Sequence, residues 1–228
     1  MNIAIVVAAG RGRRFGENNK ILAPLGNKPI LFWSLETLAQ HRLVDRLVGV
    51  VSEECRPTME SFSSPKLAGV VAGGLERFHS VYNGLEFGQH HFGKGHTVLV
   101  HDGARPLVDS FTIDRLLQAP HSAAIPVWPT QETIVQSAES STPIFPDRLH
   151  LYTVQTPQVF PLDKLLEAHR KYRNTALPPA VYDDGGLFHW AFPQETIALV
   201  EGNQRNLKIT TPIDLTLAEL LLRPPIFP

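Results

Sequence analysis

The chain has 228 residues, 43% of them apolar and 19% charged, enough for a sizeable core and too few for several elaborate domains. Its 21 basic residues against 22 acidic ones leave a formal charge of -1, which excludes the broad cationic face that tracks a nucleic-acid polymer. A single cysteine, Cys55, excludes an internal disulfide, and the apolar opening over residues 3–9 is far short of the roughly 20 residues a membrane span needs, so a cytoplasmic protein with no membrane partner is expected.

In chain order, residues 3–8 read as a strand buried on both faces, and a glycine-rich basic loop leads from it to residues 30–40, where Ile30, Leu31, Leu35 and Leu38 recur at helical spacing. Residues 47–52 and 67–72 predict two more strands. Residues 76–87 predict a helix on Phe78, Val81, Tyr82 and Leu85, and residues 97–101 and 122–127 predict further strands. Short apolar strands alternating with helices predict an α/β fold, a mostly parallel sheet covered on both sides. Residues 128–149 break this rhythm with three prolines and a Ser-rich patch; their flanks, 132–136 and 149–155, are expected to pair as a hairpin arm that packs against a second subunit. Residues 161–172 and 212–222 are the later helices, opened by Pro161 and by Thr211-Pro212. One domain over 1–228, with a β-arm at about 128–152, is the expected organisation.

Ligands of such sheets bind at the carboxyl ends of the strands, so chemistry is expected just after residues 8, 72 and 101. The first of these loops runs Ala8-Ala9-Gly10-Arg11-Gly12-Arg13-Arg14-Phe15-Gly16. Its small residues and successive amides suit a phosphate, although the third glycine misses the dinucleotide spacing and no Gly-Lys-Ser/Thr follows. Arg11, Arg13, Arg14 and Lys20 give it an unusual density of cations; a solvated basic turn is the competing reading. The second loop, Gly73-Gly74 with Ser80, permits close approach of a flat group, or is simply a turn. In the third, Asp102 suits a metal ion or a ribose hydroxyl and Arg105 suits phosphate, against an Asp-Gly turn with a surface arginine. A fourth stretch, residues 201–210, places Lys208 in a strand-like apolar run, where it answers an anion or guards a sheet edge. His90, His91 and His96, in a Gly-rich stretch read as a loop, have no coordination spacing. Asp183 and Asp184 read either as substrate or metal groups or as a helix cap, and Cys55 has no activating surroundings.

Taken together, Ala8 to Arg14 with Lys20, His101-Asp102-Gly103-Ala104-Arg105-Pro106, Gln155-Thr156-Pro157-Gln158, and Asn206-Leu207-Lys208-Ile209-Thr210 before Pro212 and Asp214 resemble the 2-C-methyl-D-erythritol 4-phosphate cytidylyltransferase family over nearly the whole chain. The resemblance implies a Rossmann-like nucleotidyltransferase fold, a homodimer formed through the protruding β-arm, and Mg²⁺-dependent transfer of CMP from CTP to a polyol phosphate. It makes Arg14 and Lys20 the transition-state stabilisers, and Arg148 and Lys208 the residues that position the acceptor. The backbone of Ala8, Ala9, Gly10 and Gly12, with Gly74 and Ser80, would hold the cytidine, and Asp102 would meet the ribose or the metal, Mg²⁺ being carried otherwise by the CTP phosphates. Arg105, Thr133, Thr156 and Asp183 complete the implied substrate contacts, Thr133 and Arg148 reaching the neighbouring subunit's site.

The physical account agrees, because nucleotidyl transfer asks a protein mainly to position reactants and neutralise charge. Three departures from the family pattern stand out: Asn19 where a proline often precedes the lysine, a small insertion with Glu132 for aspartate in the arm, and Tyr182-Asp183-Asp184-Gly185-Gly186 for a commoner Thr-Asp-Asp/Glu-Ala-Ser. A cytidylyltransferase for another polyol phosphate, such as ribitol 5-phosphate, and a non-catalytic nucleotide-binding homologue are the alternatives.

Overall fold

The computed structural model describes residues 1–10, 15, 19–137 and 142–223. In chain order its elements are β1 (Asn2–Ala8), β2 (Pro24–Leu25), β3 (Lys28–Pro29), α1 (Ile30–Gln40), β4 (Arg46–Val51), α2 (Arg56–Glu60), β5 (Leu67–Ala72), α3 (Arg77–Phe92), β6 (Thr97–Asp102) and α4 (Ser110–Leu117). Then follow β7 (Ala123–Pro129), β8 (Tyr152–Val154), β9 (Gln158–Pro161), α5 (Leu162–Arg173), α6 (Asp184–Ala191), β10 (Ile197–Glu201) and α7 (Pro212–Leu222).

The main sheet runs β10-β7-β9-β6-β1-β4-β5, with β8 added to β7. It is parallel across β6, β1, β4 and β5, and β10 is parallel to β7; β9 joins the two halves antiparallel to both neighbours. Successive side chains of a strand point to opposite faces, and β1 obeys this. Ala4, Val6 and Ala8 pack with Leu31, Leu35 and Leu38 of α1, whereas Ile3, Ile5 and Val7 pack with Val81 and Leu85 of α3 and Leu165 of α5. Because both faces are covered, β1 reads as an unbroken apolar run with no polar alternation.

The chain steps outward from β1 to β4 and β5, then returns to β6 on the other side of β1. That reversal leaves a crevice beyond the carboxyl ends of β1 and β6, where Val7 pairs with Asp102.

Several sequence expectations are corrected. Residues 149–155 do not pair with 132–136: β8 pairs with the end of β7, Val127 opposite Val154 and Pro129 opposite Tyr152, while Gln136 bridges Ile144. The base of the arm is therefore a continuation of the main sheet, since the β7 edge offers a ready ladder. Residues 202–210 form no strand, so the edge-strand reading of Lys208 fails. His90 and His91 belong to the last turn of α3 and not to a loop.

Candidate active site

A cavity of about 610 Å³ opens at the carboxyl ends of β1, β5 and β6. Ala8, Ala9 and Gly10 line one wall, Gly74 and Ser80 another, and Lys20, Asp102 and Lys208 also face it, together with Arg77, to which the sequence reading gave no role. Of the residues expected here, Gly12 and Arg14 lie outside the described residues.

The first two loops touch. A Cβ on Gly73 would stand 2.1 Å from the Cβ of Ala9, and one on Gly74 would stand 2.3 Å from that of His79, so the glycines are required by close approach. The Ser80 hydroxyl accepts from Gly74 N at 3.0 Å and donates to Glu76 O at 3.1 Å, which fixes the turn from β5 into α3. Lys20 begins a one-turn helix, Lys20–Leu22, capped by Asn19. Asn19 is itself buried, its Nδ2 lying 3.1 Å from Glu54 Oε2 and 3.0 Å from Cys55 Sγ. An asparagine thereby anchors the segment at the position where the family often has proline.

Asp102 is the hub. Arg77 Nε donates to its Oδ1 at 2.9 Å, and Lys208 Nζ lies 2.7 Å from its Oδ2. Burial pushes this carboxyl upward, but Arg77 and then Lys208 outweigh burial and hold it far below the usual carboxylate range. Its backbone N–H donates to the Thr156 hydroxyl at 3.0 Å, and that hydroxyl meets His101 Nδ1 at 3.1 Å. Burial pushes His101 down to about 4, so the ring is neutral at pH 7.

Lys208 is delivered by irregular chain. Ile209 N donates to Ala104 O, and buried Asn206 donates through Nδ2 to Thr156 O at 2.9 Å. Arg105, offered above as a phosphate ligand, instead donates from Nη1 to Asn206 O at 2.7 Å and does not line the cavity. Thr156 is buried, braces Asp102 and does not line the cavity. Asp183 caps α6, accepting from Gly186 N at 2.8 Å and Gln158 Nε2 at 2.8 Å, which realises the cap reading. Thr133 and Arg148 lie on the exposed arm and do not line the cavity, Arg148 donating to Gln131 O.

The arrangement is a glycine-floored pocket with cations on opposite sides of one carboxylate, suited to gripping an extended anion. The family model for 2-C-methyl-D-erythritol 4-phosphate cytidylyltransferase matches residues 2–224. The chain belongs to this family. Among curated cytidylyltransferases of that name, the one from Syntrophotalea carbinolica is 36% identical, covering 97% of this chain and 96% of the relative. That from Synechococcus sp. is 38% identical, covering 96% and 95%. The crystal structure of the Thermus thermophilus cytidylyltransferase superposes with a TM-score of 0.73 at 31% identity, covering 97% of this chain and 98% of the other. Of the cations and carboxylates read from sequence, Lys20, Asp102 and Lys208 line the cavity. Arg77 was missed, and Asp184 was read only as a substrate or metal group or part of a cap: the fold alone shows that they meet, Arg77 Nη2 lying 2.8 Å from Asp184 Oδ2.

Proposed function

We propose that the chain transfers CMP from CTP to 2-C-methyl-D-erythritol 4-phosphate, giving 4-diphosphocytidyl-2-C-methyl-D-erythritol and diphosphate for isoprenoid biosynthesis. The observation that carries this reading is the cavity at the β1/β6 reversal, with Lys20 and Lys208 on its walls and Asp102 between two cations. Family membership supplies the substrate pair.

An acceptor phosphate oxygen attacks the α-phosphorus of CTP and diphosphate leaves from the opposite side. No general base is needed, because a phosphate monoester with a second pKa of about 6 is already largely dianionic at neutral pH. In this reading the amides of Ala8, Ala9 and Gly10 and the turn at Gly74 hold the nucleotide, and Lys20, with Arg14, offsets charge that builds on the triphosphate. Lys208, held at the cavity wall by Asp102, orients the acceptor phosphate. Asp102 faces the ribose or the metal ion carried by the triphosphate.

No group of three or more His, Cys, Asp or Glu suited to a metal occurs among the described residues. The donor set fits a Mg²⁺ ion that arrives on CTP, since that ion keeps several waters and takes one or two carboxylates alongside substrate phosphates; Asp102 is the carboxylate that would face it. Bound there, Mg²⁺ supplies further neutralisation of the triphosphate.

The arm carries exposed Ile134, Val135, Ile144, Phe145, Leu149 and Tyr152, an apolar surface that supports dimerisation through the arm, with Thr133 and Arg148 reaching a second copy's site. A cytoplasmic location agrees with one buried, free cysteine, and among the described residues no helix is long and apolar enough to cross a membrane.

Diphosphate release from CTP and Mg²⁺ tests the proposal, with 2-C-methyl-D-erythritol 4-phosphate and ribitol 5-phosphate as parallel acceptors. Release that requires the former is expected. Faster turnover of ribitol 5-phosphate, or CTP binding without release, contradicts it.

A further inference from the structure

Asp184 is 2% exposed and does not line the cavity, yet it is tied to it. Its Oδ2 stands 2.8 Å from Arg77 Nη2, close but misaligned for a hydrogen bond, so the contact is an ion pair. The same guanidinium donates through Nε to Asp102 Oδ1. Asp184 Oδ1 lies 3.8 Å from His169 Nε2, and the fully buried His169 ring packs on Phe78 at 4.4 Å between centroids. The turn that presents Asp184 is itself fixed, because Gly185 N donates to Gln158 Oε1 at 2.9 Å.

A buried ion pair is an expensive way to stabilise a fold, since desolvation offsets most of the attraction and apolar replacements are often as stable. Geometry supplies another reason for this one. Arg77 spans two carboxylates on different layers: Asp102 at the end of β6 and Asp184 at the start of α6. With one nitrogen drawn toward Asp184, the guanidinium engages Asp102 at Oδ1, while Oδ2 remains with Lys208.

We propose that Asp184 is a positioning residue for the transfer: by holding Arg77 it keeps Asp102 Oδ1 and Oδ2 divided between Arg77 and Lys208, so that the Lys208 ammonium is presented to the cavity at a fixed place. This rests on the reading that Asp102 and Lys208 meet the substrates. Without Asp184, Arg77 turns its planar fork fully onto Asp102, which takes a bidentate partner readily, and Lys208 is displaced.

The test is Asp184→Asn, nearly isosteric, assayed with both substrates. The cluster Arg77, Arg105 and Lys208 against Asp102 and Asp184 carries three positive and two negative charges, and the variant adds one net positive charge. A role through charge alone therefore lowers KM for both anionic substrates with kcat unchanged. Positioning instead lowers kcat by about tenfold or more without lowering either KM, the consequence of a misplaced group. That loss is expected to disappear in an Arg77→Met background, where no fork remains to be held. Wild-type kcat, the charge-only pattern, or an undiminished loss in Arg77→Met overturns the proposal.

A crystal structure of Asp184→Asn needs no turnover: Lys208 Nζ is expected beyond hydrogen-bond reach of Asp102, and retention of the 2.7 Å contact overturns the inference whatever the reaction proves to be. Should Asp184→Asn fail to fold, Arg77→Lys keeps the charge but has no fork to turn onto Asp102. Its crystal structure is expected to keep Lys208 on Asp102, and a displaced Lys208 there overturns the proposal. An inactive wild-type chain would count against the proposed function alone.

Discussion

Lys20 and Lys208 approach one cavity from opposite ends of the sequence, and the reaction asks different things of them. Lys20 is expected to stabilise charge on the triphosphate, so Lys20→Ala should slow the chemical step in single-turnover experiments by at least about a hundredfold, the size of one lost charge stabiliser. Near-wild-type rates would remove it from the mechanism. His101 has a different signature. The unfolded ring takes its proton near its ordinary pKa of about 6.5 and the folded one only at about 4, so between those values the unfolded state binds more protons. Stability should therefore fall as pH drops from about 6.5 to 4, by on the order of 3 kcal/mol in all. Urea unfolding at pH 7 and pH 5 checks this against His101→Asn, which should lose less; equal losses contradict it. Asp102, Gly74, Lys20 and Lys208 were legible in sequence because each follows a strand or sits in a dense motif. Arg77 was written in the same segment as Gly74, but its importance depends on Asp184, a partner supplied by a distant helix that no local spacing reveals.

The strands were legible for the same reason that they are buried: β1, β4, β5 and β6 are apolar runs between turn residues, and α1 and α7 show their period. β9 was not, being four residues ending in Pro161, too short to show alternation. Nor was α6, whose first turn contains Gly185 and Gly186, poor helix formers tolerated because Asp183 caps them. The expected partner of residues 149–155 was wrong because an available sheet edge at β7 outcompetes a hairpin across a long excursion. Junctions between elements carry the site, and the tightest is Gly73 against Ala9. Gly73→Ala should push the two nucleotide loops apart, destabilising the chain by about 1–3 kcal/mol as overpacking does and weakening CTP binding. Denaturation and nucleotide titration measure both effects. An unaltered CTP affinity would mean that the loops do not act as one cradle.

Besides the cavity, the molecule offers an apolar arm. Phe145 and Leu149 are 68% and 77% exposed, so covering them against a second copy would contribute to association. Sedimentation of the wild-type chain should give a dimer, and, on the proposed sharing of Thr133 and Arg148 with a second copy's site, Phe145→Asp with Leu149→Asp should give a monomer with greatly reduced turnover. A fully active monomer would contradict the shared site. The fold positions everything else by one topological fact, the reversal between β1 and β6, which gathers small-residue loops and cations from remote stretches of chain. The most direct measurement is a crystal structure with CTP and Mg²⁺ bound. It should show the triphosphate against the amides of Ala9 and Gly10 with the Lys20 ammonium within hydrogen-bond reach of a phosphate oxygen; a nucleotide bound elsewhere, or Lys20 turned away from the anion, would contradict the account.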